Sequence, residues 1–167
     1  RVYQPRTDGY HPICSVFIPI SLYDEIEINQ VSSKSIHIQT NHPNLQNLEE
    51  NLLYKIYHSL KNQIPFGLNI NIKKNIPLGS GLGGASSNAA CLLSYLNKAA
   101  NWNYPIHKLV SISLKFGSDI PFFLYNSPAI VSGIGEVISP KNLSKMFYVL
   151  ILPKFGISTI SVYKMFD

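Results

Sequence analysis

Pro77-Leu78-Gly79-Ser80-Gly81-Leu82-Gly83-Gly84-Ala85-Ser86-Ser87 is the stretch on which the fold turns. Before it, Gly67 to Lys73 (GLNINIK) alternates apolar and polar residues, the pattern of a half-buried strand. After it, ASSNAACLLSYLNKAA (85–100) carries small and apolar residues at helical spacing and predicts a helix. A strand, a glycine-rich turn and a helix in that order have a physical consequence. Glycine lets the backbone take positive φ and approach a ligand closely. The helix start offers unpaired N–H groups and the positive end of the helix dipole. Together these make a cradle for phosphate, with Ser86 and Ser87 adding hydroxyl donors. The alternative is a tight strand-to-helix turn that needs small residues only for packing.

Two common cradles are excluded. Gly79, Gly81 and Gly84 fit GxGxxG, but a dinucleotide site wants an acidic residue about 20 positions further on. No Asp or Glu lies between Glu50 and Asp119. The P-loop needs Lys-Ser/Thr after its last glycine, and here Ala85-Ser86 follows Gly84. Protein-kinase signatures are absent as well.

Working outward, residues 4–12 (QPRTDGYHP) are turn-rich, and Ile13 to Ile20 reads as a buried strand. Asp24 to Asn29 and Lys34 to Thr40 alternate and read as half-buried strands, and NHPN (41–44) breaks the chain. Leu45, Leu48, Leu52, Ile56 and Leu60 form one helical stripe over 45–60. Pro105 opens a further helix over IHKLVSISLKF. Gly117 to Phe123 reads as a loop, and Ala129–Ser132 and Phe147–Leu152 as strands. The order predicts a two-layer α+β domain.

The lone Asp119 stands in Gly117-Ser118-Asp119-Ile120-Pro121-Phe122-Phe123, among apolar neighbours. A partly buried carboxylate beside a phosphate site can take a proton from an attacking hydroxyl. The surrounding stretch holds seven lysines (55, 61, 73, 74, 98, 108 and 115) and is expected to keep it ionised. The alternative is a helix N-cap or turn residue ahead of Ile-Pro.

Composition bounds the rest. The chain has 167 residues, 46% of them apolar and 14% charged, which argues for a packed core and against disorder. Its net charge of +5 suits phosphorylated ligands, but Arg occurs only at positions 1 and 6, which argues against nucleic acid. No apolar run reaches the ~18 residues of a membrane span. Cys14 and Cys91 lack CxxC spacing and point to a reducing, cytoplasmic setting. The five histidines show no metal-ligand spacing. Position 1 is Arg, so the sequence is expected to be part of a longer protein.

Taken together, Pro77–Ala90 and Gly117–Phe123 resemble the phosphate-binding and later aspartate segments of the GHMP small-molecule kinases, which act on galactose, homoserine, mevalonate and phosphomevalonate. Pro5-Arg6-Thr7-Asp8-Gly9-Tyr10-His11 resembles a segment of one branch of that superfamily, whose substrate is a cytidine-diphosphate-linked polyol of the non-mevalonate isoprenoid route. DEIEI, EENLLYK and Ser132-Gly133-Ile134-Gly135-Glu136 follow at matching spacing, so the resemblance runs from about residue 5 to 160. It implies the GHMP-kinase N-terminal domain fold over residues 1–153, without its first strand, and the start of a second domain over 154–167. It implies phosphorylation of the polyol 2-hydroxyl by ATP, with Mg²⁺ arriving on the nucleotide and no protein metal site. By position, Pro77 to Ser87 would wrap the phosphates, and Asn51 and Lys74 would lie near the adenine. Asp119 would be the catalytic base, Tyr10 would stack on cytosine, His11 would read its edge, and Tyr163 would be a second aromatic wall. The branch also has a catalytic lysine ahead of its Arg-x-Asp-Gly-Tyr-His segment and a second α/β domain; this sequence contains neither, so the chain alone is expected to be inactive. A monomer or weak homodimer is expected. The alternatives are a homoserine- or mevalonate-type kinase, and a nucleotide-binding relative without catalysis. Locally, Tyr10 and His11 could instead pack a turn, and Lys74 could be a solvated surface lysine.

Overall fold

A computed structural model describes residues 1–42, 48–144, 146–152, 162 and 165. The elements are β1 (Ile13–Phe17), β2 (Glu25–Val31), β3 (Ile36–Thr40), α1 (Leu52–Leu60), β4 (Gly67–Lys73), α2 (Gly84–Ala99), α3 (Ile106–Ser113), α4 (Ile120–Tyr125), β5 (Ala129–Gly133) and β6 (Val137–Pro140). This is the α+β order that the sequence predicts, arranged as two three-stranded sheets with helices.

One sheet has the order β2-β4-β3, with β4 antiparallel to β2 and parallel to β3. The alternation in β4 sends Leu68, Ile70 and Ile72 inward and leaves Asn69, Asn71 and Lys73 outward. Register then stacks like on like: Ile26 opposite Ile72, Ile28 and Ile38 opposite Ile70, and Ile36 opposite Leu68. Onto that apolar face pack Leu53, Ile56, Tyr57 and Leu60 of α1 and Leu92, Leu93 and Leu96 of α2. The three α2 leucines are fully buried, so truncating one to Ala should cost about 2–5 kcal/mol. The other sheet is antiparallel in the order β1-β5-β6. It has its own small core of Phe122, Ala129 and Val131.

Helix α4 joins the two cores. Ile120 inserts into the larger one, and Phe122 belongs to the smaller, where its ring meets Phe17 edge-on at 5.2 Å. The residue at the head of this helix therefore sits at the seam between the two halves of the molecule.

Several expectations need correction. The strand from Ile13 stops at Phe17, because Pro19 has no N–H to give a ladder, and β1 alternates half-buried and exposed positions instead of being buried. The helix expected over 45–60 begins at Leu52, where Asn51 caps it; Leu48–Glu50 form a 3-10 turn and 45–47 lie outside the described residues. Gly117–Phe123 is not all loop: α4 starts at Ile120, and Pro121 in its first turn suits a helix start. Phe147–Leu152 forms no strand. Phe147, Val149 and Ile151 are 94%, 93% and 88% exposed, and the apolar run has no partner strand among the described residues. The strand β6 was not expected; it pairs with β5 after a tight turn at Gly133–Gly135. The expected domain boundary at residue 153 and Tyr163 both lie outside the described residues.

Candidate functional site

A cavity of about 810 Å³ opens between the glycine loop, the Gly9–His11 turn and the head of α4. The loop forms one wall. Gly79, Gly81 and Gly83 take left-handed φ of 67°, 73° and 69°, which only glycine adopts without strain. Gly83 is also the N-cap of α2 and brings no side chain to cap it. The N–H groups of Gly84, Ala85 and Ser86 therefore lack intrahelical partners at the cavity wall. A Cβ on Gly83 would lie 2.8 Å from the Phe123 ring, so the loop is pressed onto α4.

Of the expected phosphate-loop residues, Pro77 to Gly81 and Gly83 to Ser86 line this cavity. Leu82 and Ser87 face a second, more apolar cavity of about 480 Å³ on the other side of the loop. Both cavities share Asp119.

Asp119 occupies the N-cap position of α4 but makes no capping hydrogen bond. The capping hydrogen bond is absent although Asp119 lies in the turn ahead of α4, and among the described residues no donor or cation meets the carboxylate. Burial pushes its pKa up from 3.8. Among the described residues no lysine offsets that burial: Lys74, on the same cavity wall, is paired with Asp24 instead. The approach to Asp119 is fixed from behind by the β5–β6 turn. A Cβ on Gly135 would lie 2.8 Å from the Ser118 carbonyl oxygen, and the Glu136 carboxylate accepts the Ile134 N–H.

The opposite wall is the Asp8-Gly9 turn. Gly9 has φ 80°, its N–H bonds to the Arg6 carbonyl at 2.9 Å, and the Asp8 carboxylate takes both the Tyr10 N–H and the Arg6 guanidinium. The turn leaves Tyr10 59% exposed on the cavity wall. His11 is buried, and its Nδ1–H donates to the Tyr3 carbonyl at 2.9 Å, which fixes the plane of the ring.

Two expected residues stand differently. Asn51 does not line the cavity; its side chain accepts the Leu53 N–H at 3.0 Å and caps α1. Lys74 does line it, and is not solvated: its side chain is 5% exposed and ion-paired with Asp24, whose side chain is fully buried. Asp24 was missed. Its signal was an acidic residue heading an alternating strand directly before the apolar Ile26 and Ile28, but nothing local distinguishes it from an exposed strand-end charge. Among the described residues no group of three metal-ligating side chains occurs, and no helix is long and apolar enough to cross a membrane.

The loop, the fold around it and the chain's relatives agree on a class. The profile of the GHMP kinases N terminal domain matches residues 51–127, from the cap of α1 to the end of α4. The chain has the fold of that domain. It is 41% identical to the 4-diphosphocytidyl-2-C-methyl-D-erythritol kinase of Thermosipho melanesiensis over 99% of this chain and 59% of the relative. It is 43% identical to the enzyme of the same name from Thermodesulfovibrio yellowstonii, over 99% of this chain and 58% of the relative. A crystal structure of 4-(cytidine 5'-diphospho)-2C-methyl-D-erythritol kinase superposes with a TM-score of 0.78 at 32% identity, covering 98% of this chain and 58% of that one. A homoserine kinase from Cytophaga hutchinsonii shares the fold, with a TM-score of 0.62 at 18% identity over 84% of this chain and 50% of that one. The chain thus spans about 59% of the length of the curated relatives it matches.

Proposed function

We propose that the protein carrying this chain transfers the γ-phosphoryl group of ATP to the 2-hydroxyl of 4-diphosphocytidyl-2-C-methyl-D-erythritol. The observation that carries the reading is one cavity that gathers the glycine loop, Asp119 and the Tyr10-His11 turn. The likeness to kinases of that name over nearly the whole chain supports it.

The residues fit the nucleotide. Unpaired amides of the loop and the first turn of α2 suit a triphosphate, and Lys74 adds a cation on the same wall. ATP with its Mg²⁺ supplies the transferable phosphoryl group. The chain supplies position and a proton acceptor, which is most of what phosphoryl transfer asks of a protein. Asp119, which no donor meets among the described residues, is a better base than a fully hydrogen-bonded carboxylate. Tyr10 offers an exposed aromatic face for the cytosine ring, and His11 a ring locked at the same wall.

The test is ADP release by the complete gene product, with the cytidine substrate, homoserine and mevalonate supplied in parallel. Turnover with the cytidine substrate alone is expected. Turnover with either other alcohol would keep the fold and overturn the reading of Tyr10 and His11. Tyr10→Ala should raise the KM for the cytidine substrate about tenfold, a loss in the range of one base stack, and leave the KM for ATP near its starting value. Equal changes in both would remove Tyr10 from the substrate site.

A further inference from the structure

Among the described residues, Asp24, at the entry to β2, is a carboxylate with a buried side chain whose hydrogen bonds all run to the phosphate loop or its flanks. Its Oδ1 accepts the backbone N–H groups of Asn75 and Ile76 at 2.8 and 2.9 Å. These are the residues that lead β4 into the loop. Its Oδ2 accepts the Lys74 ammonium and the Asn88 amide, the latter at 2.9 Å from α2. Asn88 is itself 5% exposed. One side chain thus ties the strand that enters the loop to the helix that leaves it, and it holds a cation at the cavity wall. The neighbouring Asn75 side chain adds a bond to the Tyr23 carbonyl at 2.9 Å, so the β2 entry and the loop entry are laced together.

We propose that Asp24 is the positioning residue of the phosphate loop: it fixes the path from Lys74 to Gly83 and aims the Lys74 ammonium along the wall where the triphosphate would lie. The geometry favours this over a merely stabilising ion pair. A buried pair alone needs one cation, whereas here two backbone amides at the loop entrance and a side-chain amide from α2 converge on the same carboxylate. The proposal rests on reading the loop as a triphosphate holder. Asp24 touches no reacting atom; it acts through Lys74 and the loop amides.

The experiment compares wild type, Asp24→Asn, Asn88→Ala, Lys74→Met and the Asp24→Asn/Lys74→Met pair in the full chain. Amide hydrogen exchange is followed across residues 75–86 and, as an internal reference, across Leu68–Ile72 of β4. MgATP affinity is measured by calorimetry. In Asp24→Asn, loop amides should exchange faster by more than the β4 amides, whose protection falls only by the loss of global stability read from urea midpoints, and MgATP should bind on the order of tenfold more weakly, the loss expected from a few charge-assisted bonds. Asn88→Ala should give the same pattern, smaller, and it carries the test if Asp24→Asn does not fold. The double variant should bind no more weakly than the weaker of the two single variants, because the two residues act as one unit. Uniformly faster exchange along the whole chain, or unchanged loop exchange with unchanged MgATP affinity, would overturn the proposal. If the wild type fails to bind MgATP, the nucleotide reading falls, and the exchange pattern alone then decides whether Asp24 sets the loop.

Discussion

Asp24 and Asp119 are two carboxylates on either side of one glycine loop, and they are treated in opposite ways. Burial around Asp24 would raise its pKa, but hydrogen bonds from the Ile76 and Asn75 amides, Lys74 and Asn88 together overrule it and hold the pKa below 3.8. Burial around Asp119 acts with nothing against it, and the pKa rises. What separates them is the supply of donors. A carboxylate saturated by donors is a structural anchor with little basicity left to use. A carboxylate denied donors costs stability and keeps its basicity, which is the condition of a proton acceptor. The loop lies between an anchor and a base made from the same amino acid.

The largest expected effect falls on the base. Asp119→Asn in the complete protein should lower kcat about 10²–10⁴-fold, the usual worth of a general base, while MgATP affinity stays within a few-fold of wild type. The sign for stability is the reverse of the sign for activity. A folded pKa above the unfolded one means that ionised Asp119 weakens the fold at neutral pH, and that stability grows as pH falls through the raised value toward 3.8. Asp119→Asn should therefore raise the thermal midpoint at pH 7, trading activity for stability. Activity of the wild type should fall on acidification at a higher pH than an ordinary aspartate would dictate. A variant that keeps wild-type turnover, or a thermal midpoint that drops, would dissolve the contrast between the two carboxylates.

The anchor makes the converse prediction. Asp24 has a lowered folded pKa, so its contribution is complete above 3.8 and is lost as pH falls through the lower folded value. Asp24→Asn leaves Lys74 buried beside a neutral amide and should cost about 3–5 kcal/mol at pH 7, read from urea midpoints. The gap between variant and wild type should close on acidification below pH 4. A gap that persists in acid would mean that shape, and not charge, holds the loop.

The two residues also differed in how legible they were. Asp119 could be picked from the sequence because it is the only acid between Glu50 and Glu136 and sits in a glycine- and proline-marked segment. The glycine loop was legible for a similar reason: it interrupts a period of two and starts a period of 3.6, and positive φ accounts for Gly79, Gly81 and Gly83 while close packing against Ile76 accounts for Gly84. Asp24 carries no such mark. Its partners Lys74, Asn75, Ile76 and Asn88 lie 50 to 64 positions away, and it takes the β2–β4 register to bring them together. The same blindness explains why a solvated Lys74 stood as a local alternative: its burial depends on that distant partner. It also explains Asn51, whose cap geometry is set by where α1 starts. Strands such as β4 were read to the residue because alternation and burial coincide. The apolar run at 147–152 misled because a run of apolar residues alone says nothing about whether a partner strand is present.

The smallest effect tests whether anchor and base are independent. Gly83 joins them: it caps α2, which carries Asn88 to Asp24, and it presses on Phe123 of α4, the helix that Asp119 heads. Gly83→Ala forces a left-handed φ of 69° on a residue with a Cβ and drives that atom against the Phe123 ring. The backbone term alone should cost about 1–2 kcal/mol. The ring must then shift, and α4 with it, whereas the amides that Asp24 holds enter the loop from its other end. Gly83→Ala should therefore move the pH profile of turnover, which reports Asp119, and leave the acid limb of unfolding, which reports Asp24, where it was. If both move together, the loop transmits strain from end to end, and the two carboxylates belong to one coupled unit instead of an anchor and a base with separate tasks.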